Sequence, residues 1–587
     1  MKIFYKITCI AALLLAATSC SIDWKTEAEY PFKNERTGET PTFTFTGDRE
    51  ISVVKTGGSF NGVFTANLPW TAESLADWIS ITSDKRGNGG DDAVTLTFDV
   101  SRNSTLKPRS GKIRVKITDD AEAYIVLNQE QSLPEDLGND WYIKPGGTGD
   151  GSSWEKAIDL GPALAACATA DKLYLAAGTY TPTQFAGGTT DVYRCFLLSQ
   201  NVWIYGGYPE NPVAGDQADP AKNKTILSGK NGNYHNLVVA VPEDDIYQVH
   251  IDGLIFQDSN NTCSSAGSQK INGVNFYMTY GAAVYIAGSK GEMTNCVITD
   301  NQGSYVPGLW LTPKSYWSVD KCSFTKNTNI SNYGSAIHNA GTVIVKNSVI
   351  TGNVCSKGSG PAIYNYDLIN KSACEAYFYN CYIADNECSN KIVGRPGAIY
   401  CRENSRTVFV NCTIANNNAG NAPLYFYGTA SVNTQGYVIS TTITGNTSTV
   451  SGVCGGIGSL SSTVNVYNSV VSGNICSNDG VADLSAWGTI KANKTAKCSH
   501  TISGKNVFGD DTVVSSSFDP ATMIGALSGN VYPLIGTGNP AKTDGMSGAD
   551  LKGISTGYVV ELDKDLVAKD QKGNDRSGKV MGAYVGL

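Results

Sequence analysis

From Gly281 to Cys476 the chain alternates apolar and polar positions in short bursts, and the bursts recur. One reads Asn295-Cys296-Val297-Ile298-Thr299-Asp300-Asn301. The next two read Lys321-Cys322-Ser323-Phe324-Thr325-Lys326-Asn327 and Asn347-Ser348-Val349-Ile350-Thr351-Gly352-Asn353, and further copies run 380–386, 411–417, 440–446 and 468–474. Successive copies lie roughly 26 (Asn301 to Asn327) to 33 (Asn353 to Asn386) residues apart, the period at which one supersecondary unit stacks on the next. Inside a copy the apolar period is two: Cys296 and Ile298 share a face, as do Cys322 and Phe324, Cys381 and Ile383, Cys412 and Ile414. Short strands, one per turn with Gly and Asn at the corners, predict an all-β chain wound as a parallel β-helix. Equivalent side chains would then stack in ladders about 4.8 Å apart. The terminal Asn of each copy (Asn301, Asn327, Asn353, Asn386, Asn417, Asn446, Asn474) fits a corner, where Asn tolerates the left-handed conformation and its amide can bond backbone or a stacked Asn.

The first half of each repeat carries the candidate chemistry. Val284, Leu309, Ile337, Ile363, Ile399 and Leu424 are expected inside, which turns Tyr285, Trp310, His338, Tyr364, Tyr400 and Tyr425 outward. The same parity adds Tyr366, Arg402 and Tyr427 to that surface. An exposed aromatic ridge with polar neighbours suits sugar: flat rings meet C–H faces, and rim groups orient hydroxyls. The competing reading is that the rings brace neighbouring turns beneath long loops.

The N-terminus is a targeting segment. Lys2 and Lys6 precede an apolar run from Ile7 to Ala17 that is too short to span a bilayer, ending Ala17-Thr18-Ser19-Cys20. This resembles a bacterial lipoprotein signal, which implies a lipid anchor on Cys20 and a place at the outer membrane or cell surface. Residues 21–39 then form a tether. Residues 40–132 alternate as strands at Val94-Leu96-Phe98, Ile113-Val115-Ile117 and Ile125-Leu127. The phrases Leu68-Pro69-Trp70, Asp77-Trp78-Ile79, Asn103-Ser104, Arg109-Ser110-Gly111 and Asn128-Gln129 resemble the BACON domain. That resemblance implies a small immunoglobulin-like sandwich, proposed in the family to bind carbohydrate or to act as a spacer. Trp70 and Trp78 are read as core rather than as sugar platforms.

Residues 133–140 make a polar linker. The run from Trp141 to Trp154, a helical-looking stretch from Glu155 to Ala168, and Leu173 to Tyr180 resemble the opening of bacterial right-handed parallel β-helix proteins, where a short helix caps the first turn. The β-helix is expected over 141–510. Ala336-Ile337, Ala362-Ile363 and Gly397-Ala398-Ile399 also resemble polymorphic outer-membrane-protein repeats, which describe how turns stack rather than what they do. Residues 511–587 should fold back as a C-terminal cap, with Asp575-Arg576 and Met581 to Tyr584 resembling the ending that closes such helices.

Composition narrows the partners. Net charge is −8 and no basic stripe occurs, which argues against nucleic acid. The 16 Cys read as mostly reduced ladder residues: Cys296, Cys322, Cys381 and Cys412 share one inward position, and Cys355, Cys388 and Cys476 share another. No Cys or His cluster has metal-ligand spacing.

Right-handed β-helices also host pectate lyases and polygalacturonases. A hydrolase needs converging carboxylates, yet Asp367, Asp385, Glu387 and Glu403 sit at unlike repeat positions, and Asp510-Asp511 has no repeat partner. A lyase needs a base, often with Ca²⁺; Arg395, Arg402 and Arg406 with Glu403 form the one basic cluster near the ridge, and solvated loop charge accounts for it better. The reading is therefore a lipid-anchored surface protein whose role is non-catalytic glycan binding or adhesion, its partner a polysaccharide or a host or microbial glycan, without a cofactor. The enzyme alternative takes Arg402, Arg395 and His338 as catalytic candidates, with Ca²⁺ entering only for a lyase. A structural stalk is the third class.

Overall fold

The computed structural model describes residues 39–133, 136–230, 232–241, 247–262, 267–281, 283–331, 333–389, 397–429, 431–450, 454–477, 480–481, 483–493, 496–497, 501–502, 507–511 and 518–585. The chain divides into two compact units, one ending at Leu137 and the other beginning at Gly138.

The first unit is a two-sheet sandwich. One sheet orders Phe43–Phe45, Gly58–Ala66, Gly90–Val100 and Ile79–Ile81; the other orders Glu50–Val53, Ala121–Gln129, Arg109–Thr118, Trp70–Ser74 and Arg86–Gly87. Period-two alternation puts Phe64, Leu96, Phe98, Ile113, Val115, Ile125 and Leu127 into one core. Trp70 is buried there edge-on to Phe64, and the face of Trp78 lies under the Arg109 guanidinium at 4.3 Å. A side chain at Gly111 would meet the Trp78 ring at 2.6 Å, which explains why that position is bare. Asn103 is fully buried and its amide donates to the carbonyls of Lys107 and Glu130, at 2.9 and 2.8 Å.

The second unit is a parallel β-solenoid. One turn reads Val284–Ile286, Lys290–Thr294, Val297–Thr299 and Gln302–Gly303; the next reads Leu309–Leu311, Tyr316–Asp320, Ser323–Thr325 and Thr328–Asn329. Strands pair in parallel with their counterparts one turn on, Val284 opposite Leu309, Met293 opposite Val319, Ile298 opposite Phe324. The first two strands of each turn join a 23-stranded sheet, the third an 11-stranded sheet and the fourth a 9-stranded sheet. A single apolar core runs inside them from Ile143 to Ile490. A helix at Leu160–Ala166 seals its beginning, shorter than the stretch expected from 155, because the Asp159 carboxylate caps the Leu160 amide and starts the helix there.

The corners differ in one respect from the sequence reading. The recurring Asn residues are not themselves left-handed; their predecessors are, at Asp300 (φ 55°), Lys326 (54°), Asp385 (56°) and Asn416 (55°), with Gly at 352, 445 and 473. A second left-handed residue opens each copy, as at Asn295, Lys321, Asn347, Asn380, Asn411, Ser440 and Asn468. Each three-residue strand is thus clamped between two bends. The bend turns the ladder Asn inward, where it is buried. Nδ2 of Asn301, Asn327, Asn353, Asn386, Asn417 and Asn446 donates at 2.9 Å to Oδ1 of the next Asn. Asn474 ends the series by donating to the Asp483 carboxylate at 2.8 Å. The described cysteines are buried free thiols.

The tail after 517 forms a strap along the flank of the solenoid. Leu551, Ile554, Tyr558, Leu562 and Val567 pack on Tyr377, Tyr379, Val408, Val410 and Ile439. It reaches out to Lys346, whose Nζ lies 3.3 Å from Asp563, and returns to Thr442, whose hydroxyl accepts from the Ala583 amide at 3.0 Å.

Candidate functional site

The expected ridge is a true ladder. Tyr285, Trp310, His338, Tyr364, Tyr400 and Tyr425 stand opposite one another on successive turns. They face away from the solenoid core, since Val284, Leu309, Ile337, Ile363, Ile399 and Leu424 occupy it. The ladder is nevertheless not exposed: Tyr285, Trp310, His338, Tyr364, Tyr366, Tyr400 and Tyr425 are all buried, and Tyr427 is half-buried. A second layer made from the inter-turn loops covers them. Tyr280 stacks on Trp310 at 4.3 Å, Phe276 packs edge-on to Tyr285 at 4.6 Å, and Tyr333 stacks on Tyr364 at 5.1 Å. The hairpin Ser268–Ile271 with Val274–Tyr277 completes the lid, and the Tyr277 amide donates to the Tyr285 hydroxyl at 3.0 Å. The ladder is a covered bracing layer and not the exposed platform the sequence predicts.

The catalytic candidates fare likewise. His338 is fully buried between Trp310 and Tyr364, with Nε2 2.8 Å from the Tyr366 carbonyl; burial lowers its pKa to about 3, so it stays uncharged at neutral pH. Arg402 is half-buried between the rings of Tyr366 (4.7 Å) and Tyr427 (5.7 Å), and its Nη2 is 3.1 Å from Glu403. Tyr366 donates to the other Glu403 oxygen at 3.3 Å. Burial opposes the Arg402 charge, but the Tyr364 and Tyr400 oxygens and Glu403 outweigh it and hold the guanidinium protonated. A paired, protonated guanidinium cannot take a proton. Arg406 binds the buried Glu375 at 2.9 Å, so neither arginine is the solvated loop charge the sequence suggested. Arg395 lies outside the described residues. Asp367 is buried and caps its own loop through the Ile369 and Asn370 amides, while Asp385 and Glu387 are exposed.

Open aromatics occur instead on the first turns, on the second strand of the turn. Tyr142, Tyr174 and Tyr205 stand in register on Asp140–Ile143, Lys172–Ala176 and Trp203–Tyr208, all half-buried, with ring centroids 5.6 and 5.7 Å apart. Beside them Trp203 meets His250 at 5.6 Å, and His250 pairs with Glu292 one turn on. Glu292 is held below the usual carboxylate range by that hydrogen bond. At the edge of the band, Trp154 and Tyr208 close a cleft with Tyr142 and Tyr174. The signal for this band was in the sequence. Leu173 and Leu175, Ile204, and Val249 and Ile251 point inward, so Tyr174, Trp203, Tyr205 and His250 must point out by the parity rule used for the later repeats.

The BACON family profile, described as "Putative binding domain, N-terminal", matches residues 68–130, within the first unit. No curated protein matches the chain in sequence. Among solved structures, the pectate lyase Pel9A is similar at 13% identity, covering 78% of this chain and 92% of that one, with a TM-score of 0.36. The alginate lyase AlyGC of family PL6 is similar at 11% identity over 63% and 53%, with a TM-score of 0.24. The family 28 exopolygalacturonase of Yersinia enterocolitica is similar at 9% over 81% and 99%, with a TM-score of 0.20. Likeness at this level says nothing about activity.

Proposed function

We propose that the chain is a lipid-anchored surface protein, held at the outer membrane by Cys20, that binds glycans without cleaving them. The observation that carries this reading is the open band of Tyr142, Tyr174, Tyr205 and Trp203. It offers a row of flat rings at turn spacing, flanked by carboxylates that can accept sugar hydroxyls. The BACON match in the first unit supports the same reading. The ionisable groups nearest the covered ladder are already committed, Arg402 to Glu403 and His338 to burial, which favours binding over bond cleavage. Affinity electrophoresis of the mature chain (residues 21–587) through gels cast with plant, host and microbial polysaccharides tests it. Retardation is expected, and its loss in Tyr174→Ala and Tyr205→Ala places it on the band. Ultraviolet-absorbing unsaturated product, or new reducing ends, would overturn the non-catalytic reading. Incorporation of labelled palmitate, abolished in Cys20→Ala, tests the anchor.

A further inference from the structure

Resting on the glycan-binding reading, we infer that the cleft at the first turns takes a sugar chain without acidic groups, and that Asp140, Glu155 and Asp216 set this selectivity. The cleft encloses about 310 Å³, at the low end of the roughly 300–1,000 Å³ of small-molecule sites. Its floor is a closed circuit of rings: Tyr142 to Trp154 at 5.0 Å, Trp154 to Tyr208 at 5.3 Å, Tyr208 to Tyr174 at 5.7 Å and Tyr174 back to Tyr142 at 5.6 Å. The rings meet edge-on or tilted, with Trp154 buried behind the half-buried tyrosines, so they line the cleft with apolar edges and partial faces for sugar C–H groups, and Tyr205 continues the line 5.7 Å beyond Tyr174. A single residue can sit in the cleft while the rest of the chain lies along the band.

The rim decides what kind of sugar. Every charged residue lining the cleft is a carboxylate: Asp140, Glu155 and Asp216. Glu155 is held below its usual range by the Ser153 hydroxyl, so it is ionised at neutral pH. Three lysines offset part of this charge from outside the lining: Lys172 lies 3.9 Å from Asp140, Lys144 favours the ionised form of Glu155, and Lys156 lies 3.9 Å from Asp150. Asp140 also accepts from the Tyr174 hydroxyl at 3.2 Å, which fixes the ring that forms the floor. Carboxylates accept well from vicinal sugar hydroxyls, since a charged acceptor strengthens the bond. They repel a uronate or sulfate brought into the same cleft, and the whole chain at −8 adds to the repulsion.

The test compares neutral glucans, xylans and galactans with polygalacturonate and alginate in affinity gels and by calorimetry, at low and high salt. The mature chain should be retarded by at least one neutral polymer and by neither polyuronate. The triple variant Asp140→Asn, Glu155→Gln, Asp216→Asn keeps hydrogen-bonding amides in place of charges. It should bind neutral polymers more weakly, because neutral amides replace charged acceptors, and still gain polyuronate binding at least about tenfold at low salt, a gain that shrinks as salt screens the field. Polyuronate binding by the unaltered chain, or no gain in the triple variant, overturns the selectivity while leaving glycan binding intact. Retardation by no polymer at all overturns the glycan-binding reading itself. Neutral-polymer binding that survives Tyr174→Ala and Tyr208→Ala overturns the placement in this cleft.

Discussion

Arg576 Nη2 donates to Asn411 Oδ1 at 3.1 Å, joining the end of the chain to a left-handed bend 165 residues earlier. The guanidinium is buried and spends its other bonds on the carbonyls of Lys569 (2.9 Å), Val580 (3.0 Å) and Gly582 (2.7 Å). Asn411 in turn donates to the Leu566 carbonyl at 2.6 Å. One arginine thereby ties the strap at residue 569 to its stretch at 580–582 and fastens both to the solenoid.

Arg576→Met should therefore release the strap. It removes the donor to the Lys569 and Gly582 carbonyls, while Val580 keeps the Asn468 amide at 3.0 Å, a loss of about 2–4 kcal/mol for bonds to a charged group in a buried setting. Denaturant unfolding measures the loss. Limited proteolysis should cut first between 518 and 585, and uniform cutting along the chain would contradict the assignment.

The asparagine ladder predicts a position-dependent cost. Asn386→Ala strips the acceptor from both the main-chain and side-chain N–H of Asn353 and removes the side-chain donor to Asn417, which keeps the main-chain N–H of residue 386. About 2–4 kcal/mol of destabilisation is expected from buried groups left unpaired. Asp483→Asn keeps an oxygen for Asn474 and should cost under about 1 kcal/mol. Equal losses in the two variants would argue that the ladder is not a continuous hydrogen-bonded chain.

Trp310→Ala and Tyr364→Ala act on a covered layer. Each should lower stability by about 3–5 kcal/mol, as large-to-small changes in packed cores do, without a specific effect on glycan binding in molecules that remain folded. Tyr205→Ala, on the half-exposed band, should cost less than half as much and remove binding. Thermal melts beside affinity gels separate the two.

Acid should erode stability through two histidines. His235 and His338 are fully buried, and burial lowers both pKa values from 6.5 to about 3. The unfolded chain takes up these protons below about 6.5, while the folded chain refuses them until about 3. Full stability is thus present above the upper value and is lost as pH falls through that window, by roughly 3–5 kcal/mol per histidine at the limit. His338→Gln should flatten the decline between those pH values in urea-melt midpoints. An unchanged slope would assign the acid sensitivity elsewhere.

How far the fold was legible follows from what period two encodes. In-register parallel stacking preserves both parity and position, so Cys296, Ile298, Cys322 and Phe324 could be placed on one inner face from their spacing alone. The same parity set the Tyr285-to-Tyr425 ladder on the far side of the sheet correctly. Parity is silent on what lies above that side. Tyr280, Tyr305 and Tyr333 each precede a ladder residue (Tyr285, Trp310, His338) by five positions and so share its period, but they sit in loops, where parity sets no direction, and the second layer they build does not follow from strand parity. The band of Tyr142, Tyr174 and Tyr205 keeps the period, at 32 and 31 residues, but its turns fall before the clear repeats and lack their Asn-ended motif. The left-handed residue moved one place because an inward-facing amide and a bend cannot occupy the same position.

The strap's route has a consequence for the order of events in synthesis. Its docking surface (Tyr377, Tyr379, Val408, Val410 and Ile439) belongs to turns that emerge well before residues 551–567 do. Until the last segment leaves the ribosome and finds them, those turns carry a bare greasy flank. A nascent chain that stalls before residues 551–567 emerge would be a sticky rod, and a factor shielding that flank would be needed only until they arrive.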